Sequence, residues 1–138
     1  MSSELLNAMA ISAHGMRAQG TRIRVLTENV ANAQTTGDTP GADPYSRQEI
    51  SFENELDREM NAKLVKVRSI EDDKKTPFIL EYKPDHPAAD AEGYVKMPNV
   101  NPLIEMTDMR EAQRSYEANL NVIQSSRSML LKTLDILQ

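Results

Sequence analysis

The stretch Met106-Thr-Asp-Met-Arg-Glu-Ala-Gln-Arg-Ser-Tyr-Glu-Ala-Asn-Leu-Asn-Val-Ile-Gln-Ser-Ser-Arg-Ser-Met-Leu-Leu-Lys-Thr-Leu-Asp-Ile-Leu137 decides the fold. Its repeat steps by three and four: Met106, Met109, Gln113, Tyr116, Leu120, Ile123, Arg127, Leu130, Leu134, Leu137. That spacing places one stripe along a helix and predicts a heptad seam. Gln113 and Arg127 are its two polar gaps. Thr107 or Asp108 reads as the N-cap, with Pro102 as a stop signal upstream. All seven prolines of the chain lie between Pro40 and Pro102. Proline removes a backbone donor and clashes with the preceding turn, so it is excluded from helix interiors. Both ends of the chain are therefore free to be long helices, and the middle is not.

The N-terminal end carries the same spacing at Leu6, Met9, Ala13, Met16, Gly20, Ile23, Thr27 and Val30. Gly20 and Ala13 admit a close partner, although a glycine costs about 1 kcal/mol in a helix interior. Ser2 or Ser3 is the expected cap. One helix ends near residue 33 and the other begins near 103, so the ends of the intervening segment must lie close. The two helices are expected to run antiparallel. Each also carries a second series, seven residues apart and away from the seam: Ile11, Ala18 and Val25, then Val122, Met129 and Ile136. Scattered apolar residues on a surface need no partner. The other reading is an inter-subunit face, with both helices covered by further chains.

Residues 34–102 hold five of the six aromatic residues (Tyr45, Phe52, Phe78, Tyr82, Tyr94). Short strands are expected over 45–52, 63–70, 78–82 and 94–97, where β-branched and aromatic residues sit between turn formers. Residues 53–62 fit a helical turn or a solvated loop, and the spacing does not choose between them. The expected class is α+β. A coiled-coil-like stalk formed by 1–33 and 103–138 carries a small, mainly β insert over 34–102.

Charge narrows the function. The net charge is −5, and the insert carries fourteen acidic against nine basic residues. An acidic insert lacks the basic stripe that nucleic acid requires. There is no cysteine, which excludes disulfides, thiolate metal sites and cysteine nucleophiles. The first residues show no basic region followed by an apolar block, so no cleaved secretory signal is expected. No apolar run has the length of a membrane span. Neither histidine, His14 nor His86, sits in a catalytic constellation, and Asp85, His86 and Asp90 lack the spacing of a metal site. Ser125, Ser126 and Ser128 line a helix without a base. No catalytic, cofactor-binding or metal residue is expected. The remaining classes are a structural polymer subunit and, as the rival, a cytoplasmic coiled-coil adaptor or export chaperone.

The segment His86-Pro-Ala-Ala-Asp-Ala-Glu-Gly-Tyr-Val-Lys-Met-Pro-Asn-Val100 resembles the signature of the FlgC family of flagellar basal-body rod proteins. Gly93, Tyr94, Met97, Pro98 and Asn99 carry the match. The run Arg114-Ser-Tyr-Glu-Ala-Asn-Leu120, with Ser128-Met-Leu-Leu-Lys-Thr-Leu134, is similar to that family's C-terminal helix. Asn29-Val-Ala-Asn-Ala33, with Asn29 and Asn32, matches an element shared by rod, hook and related axial proteins. Residues 53–76 carry none of these motifs. The resemblance implies a subunit of the proximal rod, the drive shaft across the periplasm. It implies type III export without a cleaved signal, and terminal helices that line the inner tube wall. Implied partners are further copies, the rod proteins FlgB, FlgF and FlgG, and the FliE adaptor at the membrane ring. No nucleic acid, cofactor or direct membrane insertion is implied.

Overall fold

The computed structural model describes residues 2–136. Leu137, expected in the seam, lies outside the described residues, as does the Ser2 side chain expected as a cap. The chain is α+β. Helix α1 (Ser2–Ala31) is followed by strands β1 (Gln48–Asp57), β2 (Ala62–Asp72), β3 (Ile79–Tyr82) and β4 (Tyr94–Met97), and then by helix α2 (Pro102–Ile136). Among the described residues, no helix is long and apolar enough to cross a membrane.

Helix α2 starts earlier than its sequence signals suggested. Asn101, not Thr107 or Asp108, is the cap: its side-chain oxygen accepts the Leu103 amide at 3.1 Å, and its carbonyl accepts the Glu105 amide. Pro102 then occupies the first helical position, where its missing N–H costs nothing and its fixed φ suits the helix. Thr107 instead donates back to the Leu103 carbonyl inside the helix.

Strand β1 also runs further than expected, through residues 53–57, and settles the ambiguous segment as ribbon. Asp57 ends it by accepting the amides of Glu59 and Met60. Asn61 then turns the chain at φ 48°, a conformation that asparagine tolerates. The two sheets are separate two-stranded pairs, β1–β2 and β3–β4. β3 and β4 run antiparallel, with Ile79 opposite Met97 and Tyr82 opposite Tyr94.

The chain divides into two compact units. The first holds residues up to Ile23, Ile50–Ser69 and the stretch from Arg110 onward. Within it the helical segments pair in reverse order: Gly15 packs on Asn119, Gly20 faces Tyr116, and Arg22 reaches Glu111 at 3.7 Å. The tip of the β1–β2 ribbon is tied down by Asn7, which donates to the Met60 carbonyl. The second unit holds Arg24–Glu49 and Ile70–Met109. Its apolar core is Ala88, Val95 and Met97, with Ala89 against it.

The burial along each helix follows the expected seam in part. Met109, Tyr116, Ile123 and Leu130 are half-buried, as are Met9, Met16, Ile23 and Val30. The other half of each heptad is mixed. In α2 Glu105, Ala112 and Ser126 are buried and Asn119 and Leu120 are both half-buried, while Met106, Gln113 and Arg127 are exposed. In α1 Ser12 and Leu26 are buried, Ala13, Gln19 and Gly20 are half-buried, and Thr27 is exposed. Leu6, Met106 and Leu134 are exposed. Ala18 and Val25, expected on a face left for neighbouring subunits, are instead buried within the chain. A Cβ built on Gly15 would stand 2.9 Å from the Asn119 amide nitrogen, so the two helical segments touch closely there.

Gly93 has φ +87°, and a Cβ there would meet Tyr82 at 2.9 Å and Pro84 at 3.2 Å. Gly93→Ala should lower the unfolding free energy by about 1–3 kcal/mol, since both strain and crowding oppose it. Urea titration followed by tyrosine fluorescence checks this.

Candidate functional site

The second unit is organised around Asn29, which α1 delivers fully buried. Its amide nitrogen donates to the Gln48 carbonyl at 2.9 Å and to Glu105 Oε2 at 3.0 Å. Its oxygen accepts the Gln48 amide at 2.9 Å and the Tyr45 hydroxyl at 2.8 Å. An asparagine amide has two donors and two acceptor lone pairs, and all four are used. The pair of bonds with Gln48 copies the exchange between opposed residues of an antiparallel ladder. A side chain on α1 therefore acts as the strand partner for the first residue of β1.

Glu105 lies in the first turn of α2 and is 1 % exposed. A buried carboxylate needs a partner charge and hydrogen bonds. Asn29 supplies one bond, and Arg47 supplies the charge through its Nε, which donates to Oε1. Arg47 also lies 3.2 Å from Glu49 and 3.5 Å from Asp73. Burial disfavours its charge, but the hydrogen bond and charge of Glu105, with Glu49 and Asp73, more than offset this and move its pKa upward.

Asn99 repeats the clamp from the other side. Its oxygen accepts the Arg47 amide at 2.7 Å, and its nitrogen donates to the carbonyls of Asp73 and Thr76, each at 3.0 Å. The Asp73 amide donates to the Arg47 carbonyl at 2.7 Å. The Asp73 carboxylate accepts the Thr76 hydroxyl and the amides of Thr76 and Lys75. The Thr76 bonds first, then Lys75 and Arg47, hold its pKa below the ordinary value against the opposing effect of burial. Tyr45 is pushed upward by burial and then by Glu28, Asp72 and Glu105, which keeps its hydroxyl a donor. The arrangement joins the end of α1, the start of β1, the 73–76 turn and the start of α2. It is built to hold segments together.

The remaining motif residues serve the same unit. Asn32 donates to the Glu28 carbonyl and accepts the Thr35 hydroxyl, closing the end of α1. Tyr94 packs edge-on against Tyr82, with ring centroids 5.4 Å apart. Met97 and Pro98 are buried beside Val95. His86 accepts the Ala88 amide, and Asp90 accepts those of Glu92 and Tyr94, so both shape turns. Among the described residues, no three acidic or histidine side chains group as metal ligands.

In the first unit, Ala13, Met16, Gly20, Tyr116 and Ile123 do come together, lining an open apolar groove with Arg17. Leu130 shares a second groove with Leu5, Met129 and Ile136, so residues assigned to two different faces meet there. In the second unit, Met109 accepts a hydrogen bond from Thr27.

Arg47, Asp73, Tyr45 and Glu105 were missed in the sequence. Glu105 had one legible signal: a lone acid set within Leu103-Ile104-Glu105-Met106. The link of Arg47 to Asp73 and to Glu105 had none, because it joins residues 26 and 58 apart.

The sequence has counterparts among known proteins. Residues 91–136, which contain β4, Asn99, Asn101 and Glu105, match the family model described as flagellar basal body rod FlgEFG protein C-terminal. The chain is 52 % identical over 131 residues to the flagellar basal-body rod protein FlgC of Agrobacterium fabrum, covering 95 % of this chain and 94 % of that one. It is 41 % identical to FlgC of Borreliella burgdorferi, covering 97 % of this chain and 98 % of that one. With FlgC of Salmonella typhimurium the identity is 40 %, covering 96 % and 97 %. A structural rod protein of the flagellar basal body is the class these findings define. Within that class, the chain belongs to the FlgC family.

Asn29→Ala should cost about 2–5 kcal/mol, because it leaves the buried Glu105 and the Tyr45 hydroxyl short of partners; urea midpoints measure it. The folded-state pKa of Asp73 lies below its unfolded value. Its contribution is therefore fully present above the unfolded pKa and is lost as pH falls through the depressed folded value. Asp73→Asn should flatten the acid limb of the stability profile, read from urea midpoints between roughly pH 6 and pH 3.

Proposed function

We propose that this chain is a subunit of the proximal rod, and that its terminal helices pack into the wall of a tube that carries torque across the periplasm. One observation carries the reading. Helix α2 turns its small and polar stripe inward and leaves Leu103, Ile104, Met106, Val122, Met129, Leu131 and Leu134 between 43 % and 74 % exposed. Seven large apolar side chains left in water along one helix are more than scattered exposure and call for cover. Each such side chain gains about 1.5–3 kcal/mol when fully buried, so neighbouring helices supply what the single chain lacks.

In this reading, residues 1–33 with 103–138 form the axial helical part, a coiled-coil-like stalk completed by other subunits. Residues 34–102 add lateral contacts. The neighbours are further copies, the rod proteins FlgB, FlgF and FlgG, and the FliE adaptor at the membrane ring. The chain reaches them through the type III export apparatus. The rod then needs no chemistry from the chain, only dense packing and a second unit held rigid by the Asn29–Glu105–Arg47 cluster. A cytoplasmic adaptor or chaperone would instead form a discrete dimer in sedimentation.

Val122→Asp and Leu131→Asp change exposed positions and should leave the helical content of the monomer unaltered. Both should abolish swimming in soft agar and basal bodies in electron micrographs. Wild-type motility in both would refute the axial packing.

A further inference from the structure

The β1–β2 ribbon is an unfinished sheet. It has two strands and, among the described residues, no third strand on either edge. Isolated two-stranded ribbons are marginal, and open edges are sites of pairing unless they are blocked. Ser51 to Leu56 of β1 are exposed without interruption, including Phe52 and Leu56.

The charges on the two strands are segregated. From Ile50 to Asp57, β1 carries Glu53, Glu55 and Asp57 and no base. From Ala62 to Ser69, β2 carries Lys63, Lys66 and Arg68 and no acid. Lys66 is used within the ribbon, at 2.8 Å from Glu55 and 3.6 Å from Glu53. Lys63 and Arg68 make no ion pair among the described residues.

We propose that the ribbon is a directional joint between copies of this chain, with the acidic free edge of β1 in one copy pairing with the basic free edge of β2 in the next. The proposal rests on the rod reading and adds a contact to it. Backbone hydrogen bonds between edges supply affinity, as in any strand addition, and the added strand covers Phe52 and Leu56. Charge selects the partner. Joining β1 to β1 would face three carboxylates with three, and β2 to β2 would face three cations with three. Like charges across strands are destabilising and opposite charges attract. Only the unlike pair is favoured, so each copy offers different edges to its two neighbours. Such a contact is heterologous; repeated, it builds a ring or an open helix and not a closed dimer.

The test uses the full chain in a motile strain that lacks its own copy. Lys63→Glu with Arg68→Glu should abolish swimming while the chain is still exported. An exchange of sign at five of the six charges (Glu53→Lys, Glu55→Lys, Lys63→Glu, Lys66→Glu, Arg68→Glu), with Asp57 kept because it accepts the Glu59 and Met60 amides, should restore swimming, because it restores the Lys66–Glu55 pair in reverse and the intermolecular pairs of both glutamates. Wild-type swimming of the Lys63/Arg68 variant, in a strain where Val122→Asp is immotile, overturns the joint and leaves the rod reading standing. Loss without rescue by the exchange assigns the edge to a different protein and overturns pairing between copies. Zero-length carbodiimide cross-linking of basal bodies built from mixed light and heavy-nitrogen chains decides the matter without any variant. Cross-linked peptides joining Glu53 or Glu55 to Lys63 should include pairs with one light and one heavy partner. Peptides of a single label only would overturn the proposal.

Discussion

A carboxylate held at 1 % exposure must be answered by a charge and by hydrogen bonds, because burying it alone is costly. Glu105 is answered by Arg47 and Asn29, and this one requirement organises the second unit. Arg47 comes from just before β1, Asn29 from near the end of α1, and Glu105 from the first turn of α2. None of the three can move without stranding the others. Asn29 adds a second constraint, because its amide pairs with the Gln48 backbone and so sets where β1 begins. Asn99 and Asp73 extend the same network to the turn before β3. Such an arrangement adds less net stability than an apolar core of equal volume, but it tolerates few alternative packings. That suits a subunit whose shape must be reproduced at every position of a polymer.

The helices follow a different logic. Asn119 lies against Gly15, and small or polar groups (Ser12, Ala112, Ser126) are buried along the two helices. Helix α1 adds the buried Val25 and Leu26, whereas α2 buries no large apolar side chain fully and leaves Leu103, Ile104, Met106, Val122, Met129, Leu131 and Leu134 exposed. Each of those exposed side chains would gain from cover.

Much of this was legible in the residues. The period of three and four, together with the confinement of proline to the middle, was enough for two long helices. Half of each heptad (Met9, Met16, Ile23, Val30; Met109, Tyr116, Ile123, Leu130) sits half-buried along its helix. The other half was legible only in part: Ala13, Gly20 and Leu120 are half-buried, whereas Met106, Gln113 and Arg127 are exposed. Periodicity is read from apolar residues, and several of the buried positions here are Ser12, Glu105, Ala112 and Ser126. The ribbon was visible from Lys63 to Ile70, but residues 53–57, rich in acid and poor in β-branched residues, gave no strand signal.

The sequence by itself determined the helical ends, the irregular middle, the absence of thiol chemistry and the motifs of the rod family. These are local or compositional properties, carried by neighbours within a turn or two. Only the tertiary structure decided which helix face turns inward, and that Arg47, Asp73 and Glu105 belong together. The partners of Glu105 lie 58 and 76 residues away, and that pairing is set by the path of the chain in space, which no local pattern encodes.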